Sequence, residues 1–292
     1  MIAADLLRSW LFVAGADAAA QRAALESGAD TIIPDLEDFT PPPLRARARG
    51  MIVDLFERCR KIGMAAAVRI NPLEADGAVD LAAIMAGRPD LVLLPKTAAP
   101  EQIVALDAAI AAAETQHGIV AGTTAIVPNV ETAAGLVRTI EIARASPRVI
   151  ACLVAAEDMA ADLGAERRPD GAELAYVRAR FLVDCRAAGV EAIDCPYTFA
   201  DAEGAEREAR GARRLGYRCK SLVRPEHAAA INRALTPGRE ELAAAQAQIA
   251  AFEAARAQGE DRAQVDGAWV EVPTYLNAQR LIARAARLRT AR

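Results

Sequence analysis

Eight short apolar runs recur along the chain, at residues 10–14, 31–34, 65–68, 91–95, 124–127, 149–155, 192–195 and 219–223, and nearly all stop at a charged residue. At these stops stand the Asp35-Leu36-Glu37-Asp38 cluster, Arg69, Lys96, Glu131, Glu157-Asp158 and Arg224. Segments with helical periodicity lie between the runs, at 17–26, 45–61, 100–114, 132–144, 172–188 and 201–215. Gly28, Gly63, Gly189 and Gly216 mark helix ends just before a run. Repeated strand–helix units with short returns predict an α/β protein with a parallel sheet, and eight of them favour closure into a TIM (β/α)8 barrel over an open doubly wound sheet. No G-x-G-x-x-G follows any run, so the glycine-containing turns give no dinucleotide site. A barrel places its chemistry at the carboxyl ends of its strands, where the charged residues stand here.

After the eighth run the pattern changes. Pro237-Gly238 opens an Ala/Gln/Glu-rich helix over 239–257, followed by a polar stretch at 258–266, the segment Gly267 to Pro273, and a final Arg-rich helix. This divides the chain into a barrel catalytic domain, 1–235, and a C-terminal helical extension, 236–292. The extension reads equally as a barrel cover, an oligomer contact packing on a neighbouring subunit, or a lid carrying a functional group.

A chain of 292 residues suits one barrel and can bury roughly 75% of its unfolded surface. With 53% hydrophobic residues but only 4% aromatic ones, its core must be built from Ala, Leu, Val and Ile, as in helix-covered parallel sheets. A net charge of −4 and a pI near 5.5 argue against a nucleic-acid or membrane-surface binder. No run reaches the roughly 20 apolar residues of a membrane span. A stretch at 10–20 has some signal-peptide character, but Asp5 precedes it and Gly15 and Asp17 interrupt it. The five cysteines form no C-x-x-C pair and read as buried apolar fillers of a reduced, cytoplasmic protein. The lysines are Lys61, Lys96 and Lys220, which confines any Schiff-base chemistry to three positions.

Glu131 and Asp158 follow the fifth and sixth runs closely. Neighbouring strands lie about 4.8 Å apart, so both carboxylates can reach one cation. Two carboxylates completed by substrate oxygens and water suit Mg2+; salt bridges or helix caps are the structural alternative. Arg69, at the end of the third run, can clamp a carboxylate bidentately, balance the Asp35-Leu36-Glu37-Asp38 cluster, or do both. Lys96 has the same two readings. Arg8, ahead of the first strand, is exposed by default and is counted with Arg69 and Glu131 among the substrate-binding candidates. The two histidines, His117 and His227, do not directly follow a strand and read as surface residues, leaving little for a triad or a histidine metal site.

In their order and spacing, a set of segments resembles the citrate lyase β-subunit-like branch of the HpcH/HpaI aldolase family over residues 8–273. They are Arg8-Ser9-Trp10-Leu11-Phe12-Val13, Asp35-Leu36-Glu37-Asp38, Arg69-Ile70-Asn71-Pro72, Leu94-Pro95-Lys96, Val130-Glu131-Thr132, Ala156-Glu157-Asp158-Met159, Ala161-Asp162-Leu163-Gly164 and Gly267 to Pro273. The resemblance implies a TIM barrel, a homotrimer or hexamer, and Mg2+-dependent carbon–carbon lyase chemistry, with Mn2+ as a substitute ion. The substrate it implies is a 3-hydroxyacyl-CoA such as malyl-, citramalyl- or citryl-CoA, split into an acyl-CoA and a 2-oxo acid. By residue match it assigns the metal to Glu131 and Asp158, the oxo-acid carboxylate to Arg69, and proton transfer to Glu271 of the C-terminal segment, often from a neighbouring subunit.

Some positions depart from the family pattern. Glu271 stands where an aspartate is common, and a displacement of order 1 Å can cost about 10²-fold in rate unless the segment shifts to suit. Arg224 replaces a histidine in Cys219-Lys220-Ser221-Leu222-Val223-Arg224-Pro225, Ala14-Gly15 replaces Pro-Gly, and Arg45 replaces a lysine. Two rival readings stand beside the thioester lyase: a class II aldolase of free 2-oxo acids, and a lyase-complex subunit or binding protein without independent activity. Phe39-Thr40-Pro41 occupies the place of the histidine on which the class II branch relies.

Overall fold

In the computed structural model, which describes residues 3–290, eight parallel strands close into a barrel in sequence order. They are β1 (Ser9–Ala14), β2 (Thr31–Asp35), β3 (Ala65–Arg69), β4 (Leu91–Leu94), β5 (Ala125–Val130), β6 (Ala151–Val154), β7 (Glu191–Asp194) and β8 (Cys219–Leu222), with β8 pairing back to β1. Every predicted run lies on one of these strands. The two-residue alternation of an extended chain points Trp10, Phe12, Ile33, Leu93, Val127, Leu153 and Ile193 into one inner cluster. Ala65, Ala67, Ala125 and Ala151 leave room there for the two large rings of β1. The intervening residues, such as Val68, Val92, Ile126 and Val154, pack outward against the helices.

Those helices are α1 (Ala18–Glu26), α2 (Arg45–Lys61), α3 (Ala78–Ile84), α4 (Pro100–Gln116), α5 (Ala133–Val137), α6 (Thr139–Arg144), α7 (Glu157–Leu163), α8 (Ala175–Ala188), α9 (Ala202–Leu215) and α10 (Ala228–Leu235). Asp17 caps α1 by accepting from the Ala19 and Ala20 amides. The segment expected as one helix over 132–144 is broken at Arg138, between a Thr132-capped α5 and α6. Between β1 and α1, Gly15 lets the backbone approach β2: its amide donates to the Asp35 carbonyl at 3.1 Å, and a Cβ there would stand 2.8 Å from that oxygen.

Arg8 corrects an expectation. It is 3% exposed and lies at the amino-terminal end of β1, opposite the strand ends that carry the acids. Its Nε and Nη2 donate to Asp30 at 2.7 and 2.6 Å. The cause is local: Asp30 immediately precedes β2, so the two charges meet beneath the barrel and neutralise each other.

The chain divides into two compact units, Met1–Leu235 and Thr236–Arg292. The second consists of α11 (Arg239–Ala257), a hairpin of β9 (Ala263–Val265) and β10 (Ala268–Val270), and α12 (Val272–Thr290). Phe252, Ala255, Ala263 and Val270 form its core. The stretch expected to be merely polar contains this hairpin, whose turn is Asp266-Gly267 with both φ positive, at 49° and 79°, the conformation that suits the twist of paired strands. All five cysteines are free and buried. Among the described residues no helix is long and apolar enough to cross a membrane.

Candidate active site

Asp35 and Arg69 are register partners on β2 and β3 and project to the same face. Arg69 Nε and Nη2 donate to the two Asp35 oxygens at 2.7 and 2.6 Å. Asp35 also accepts from the Glu37 and Phe39 amides, which curls the chain after β2 over the guanidinium. The rings of Phe12 and Phe39 lie with their centroids 5.1 and 5.8 Å from Arg69 Cζ. Burial opposes the arginine's charge, but the Asp35 carboxylate overrides it and the pKa rises. Of the five guanidinium donors, two serve Asp35, and Nη1 stands 3.3 Å from Glu37 Oε2 and 3.8 Å from Glu131 Oε1. Arg69 therefore balances the acidic cluster.

Glu131 follows β5 directly, on the inward face it shares with Val127 and Asn129. It is 1% exposed, and neither of its carboxylate oxygens has a hydrogen-bond partner. Burial pushes its pKa up to about 7; Arg69 pulls it down, and the charge of Asp158 pushes it up again. Asp158, half-buried, sits in the first turn of α7 and lines the same cavity. Its neighbour Glu157 turns to the rim, where it accepts from Thr198 Oγ1 at 2.6 Å and Arg167 Nε at 3.1 Å.

Lys96, just past β4, has a left-handed backbone (φ 48°) and pairs with Glu37. That bond raises the pKa of the ammonium and keeps it charged, against a Schiff-base role. Burial raises the Glu37 pKa, with Arg69 and Lys96 opposing. Lys220 is fully buried on the outward face of β8, between Asp194 and Glu208, each at 2.7 Å.

The cavity measures about 390 Å³ and is lined by Phe12, Asp38, Arg69, Asn129, Leu153, Ser221 and Val223 as well as Glu131 and Asp158. Four acids line it, Asp38, Glu131, Glu157 and Asp158, against one base, Arg69. The buried atoms of its lining side chains that make no hydrogen bond, Asn129 Oδ1 and both Glu131 oxygens, are all acceptors. Such a donor set fits a hard divalent cation. Among the described residues no group of three or more His, Cys, Asp or Glu could hold a metal ion.

Arg224 follows β8, partly exposed, 3.4 Å from Glu226. His227 is buried rather than on the surface: its Nε2 lies 3.2 Å from the Ala200 carbonyl oxygen, because the chain after β8 turns back under the loop after β7. Glu271 is exposed in the second unit, between β10 and α12. Asn129, Ser221 and Phe12 were not among the sequence candidates. Counting back in twos from Glu131 along β5 would have found Asn129.

Residues 8–225 match the family model described as HpcH/HpaI aldolase/citrate lyase. The chain is 34% identical to the citrate lyase subunit beta of Leuconostoc mesenteroides subsp. cremoris over 95% of this chain and 92% of that one. It is 30% identical to a (3S)-malyl-CoA thioesterase of Cereibacter sphaeroides, over 95% and 94%. The crystal structure of the protein CitE from Mycobacterium tuberculosis, in complex with magnesium, acetoacetate and coenzyme A, superposes with a TM-score of 0.75 at 30% identity, covering 96% of this chain and 98% of that one. A family match across most of the barrel, relatives similar over nearly their whole length and the closed eight-stranded fold lead to one conclusion: this protein belongs to the HpcH/HpaI aldolase/citrate lyase family and is a lyase.

Proposed function

We propose that the protein is a Mg2+-dependent carbon–carbon lyase that cleaves, or forms, a 3-hydroxyacyl-CoA such as malyl-, citramalyl- or citryl-CoA, giving an acyl-CoA and a 2-oxo acid. The observation that carries this reading is Glu131, a buried carboxylate with neither oxygen hydrogen-bonded, beside Asp158 in an acid-rich cavity. Glu131 and Asp158 would hold the ion. Bound Mg2+, or Mn2+ in its place, supplies Lewis-acid polarisation of the oxo-acid oxygens and neutralises developing charge.

The protein's own residues do the rest. Arg69, fixed by Asp35 and two aromatic rings, binds the carboxylate of the oxo acid through Nη1, the nitrogen that Asp35 does not engage. On cleavage the substrate hydroxyl releases its proton to water as its carbon becomes the oxo carbon, the carbon–carbon bonding pair passes to the acyl enolate, and Glu271 protonates that enolate carbon; the reverse direction runs the same transfers backwards. The second unit, 236–292, then serves as a lid, and the assembly is a homotrimer or hexamer in which a neighbour's lid can complete the site. The five free thiols fit a cytoplasmic setting.

The test is to follow both 2-oxo acid and free CoA released from malyl-, citramalyl- and citryl-CoA, with Mg2+ and with excess EDTA. Mg2+-dependent oxo-acid release, with the acyl group still on CoA, is the expected result and ranks the substrates. Free CoA without oxo acid would instead indicate thioester hydrolysis, as the name of the Cereibacter relative describes. A second reading, a subunit of a larger lyase complex acting on a carrier-bound thioester, is supported by the likeness to a citrate lyase subunit beta. Mg2+ binding with silence across the whole panel would favour it.

A further inference from the structure

Asn129 lies two residues before Glu131 on the same face of β5, roughly 6.6 Å nearer the amino end of the strand. It belongs to the floor of the cavity, where its register partner Leu153 and Phe12 supply apolar walls. The residue is 1% exposed, and its Oδ1 is sealed without a hydrogen bond, so the amide nitrogen is what it turns to the cavity. The main chain behind it is fixed, because its carbonyl accepts from the Thr97 amide at 2.9 Å. Few protons are left elsewhere on the lining. Thr198 Oγ1 donates to Glu157 at 2.6 Å, Ser221 Oγ donates to the Asp194 carbonyl at 2.9 Å, and Arg69 commits Nε and Nη2 to Asp35. Among the described residues that line the cavity, the side-chain donors without a hydrogen bond are Arg69 Nη1 and Asn129 Nδ2. Both adjoin Glu131: Nη1 stands 3.8 Å from its Oε1, and Asn129 precedes it on the same strand face.

The geometry points to Asn129 as a second donor to the carboxylate of the 2-oxo acid, holding it from the floor while Arg69 Nη1 holds it from the side. This rests on the proposed reading in which the oxo acid lies between Arg69 and the Glu131–Asp158 pair. A carboxylate offers about four acceptor sites, more than one guanidinium nitrogen and an ion can fill, and a buried anion with unpaired acceptors carries their desolvation cost. A neutral amide suits this place. A second cation two residues below Glu131 would pair with that carboxylate and compete with the ion for it, whereas the amide donates without adding charge. The carboxylate is common to glyoxylate, pyruvate and oxaloacetate, so Asn129 acts on the affinity for all three acids and not on the choice among them.

The experiment is calorimetric binding of glyoxylate, pyruvate and oxaloacetate to the full-length protein with Mg2+ and no thioester, so that turnover is not the readout; Mg2+ binding alone is measured separately. Asn129→Leu, neutral and of similar volume, is expected to weaken all three acids by a similar factor, about tenfold or more, with the affinity for Mg2+ alone unchanged. Asn129→Asp, which keeps the shape and presents acceptors in place of the donor, is expected to weaken them at least as much. Either variant decides the matter if the other fails to fold. Unchanged affinities for the acids in a folded variant overturn the inference. So does a loss confined to one acid, which would make Asn129 a reader of the substituent, or a Leu variant that weakens Mg2+ alone to the same extent, which would place Asn129 at the ion. If the wild type binds no acid with Mg2+ present, the proposed function fails before any variant is made, and this inference with it.

Discussion

Glu131 burdens the fold that carries it, and the burden has a definite sign. Its carboxyl titrates near 4.5 in the unfolded chain and is pushed up to about 7 in the folded one, mainly by burial. Between those values the folded state holds a proton that the unfolded state has released, so stability falls as pH rises through this window. The loss for the metal-free protein is about 3 kcal/mol once pH exceeds 7. Urea titrations in EDTA at pH 5.5 and pH 8 should show it, and Glu131→Gln should remove this dependence; a wild-type profile already flat would contradict the burial argument. Asp158→Asn should lower turnover on the order of 10²-fold or more with little change in fold, as expected for loss of one of the two carboxylates proposed to hold the ion. Unchanged turnover would remove Asp158 from the site. Glu131, Asp158 and Arg69 were legible in the sequence because their places need only the strand period and the end of an apolar run. Arg8 and His227 were not: what buries them is Asp30, 22 residues away, and Ala200, 27 residues away, and a charge or imidazole read alone defaults to solvent.

At the scale of elements, the barrel strands were readable because they are buried on both faces, leaving short, mostly apolar runs. The short helices α3, α7 and α10 were harder, since seven or eight residues hold too few turns for a periodic signal. The β9–β10 hairpin was announced by Asp266-Gly267, a turn signal overshadowed by the polar residues around it. Behind β7 and β8, Arg178 binds Asp194 at 2.8 and 2.7 Å and Glu208 at 3.3 Å, while Lys220 stands between the same two acids. These four charges tie α8 and α9 to the barrel wall. Lys220→Met leaves Glu208 without its closer cation, and breaking such a buried group by removing one partner costs about 3–5 kcal/mol. Chemical denaturation should register that loss, with turnover per folded molecule preserved, because Lys220 faces away from the cavity. A folded variant without turnover would bring the lysine into the chemistry.

For the molecule as a whole, an acid-rich cavity means that ion binding and folding are linked. Mg2+ at a hundredfold excess over its Kd should stabilise the wild type by about 2.7 kcal/mol. Thermal unfolding with and without EDTA measures this, and the gain should disappear in Asp158→Asn; an equal gain in that variant would place the ion elsewhere. The five buried thiols carry a different consequence. Burial pushes Cys59 up to about 11 and Cys195 up to about 12, and raises Cys185 as well. Thiolate character is suppressed at these three, and burial denies an alkylating reagent access to all five while the barrel is closed. The rate at which such a reagent consumes the cysteines is therefore a built-in clock of barrel opening, and it can time how much longer the closed state survives when each ligand is added, with no label attached to the protein.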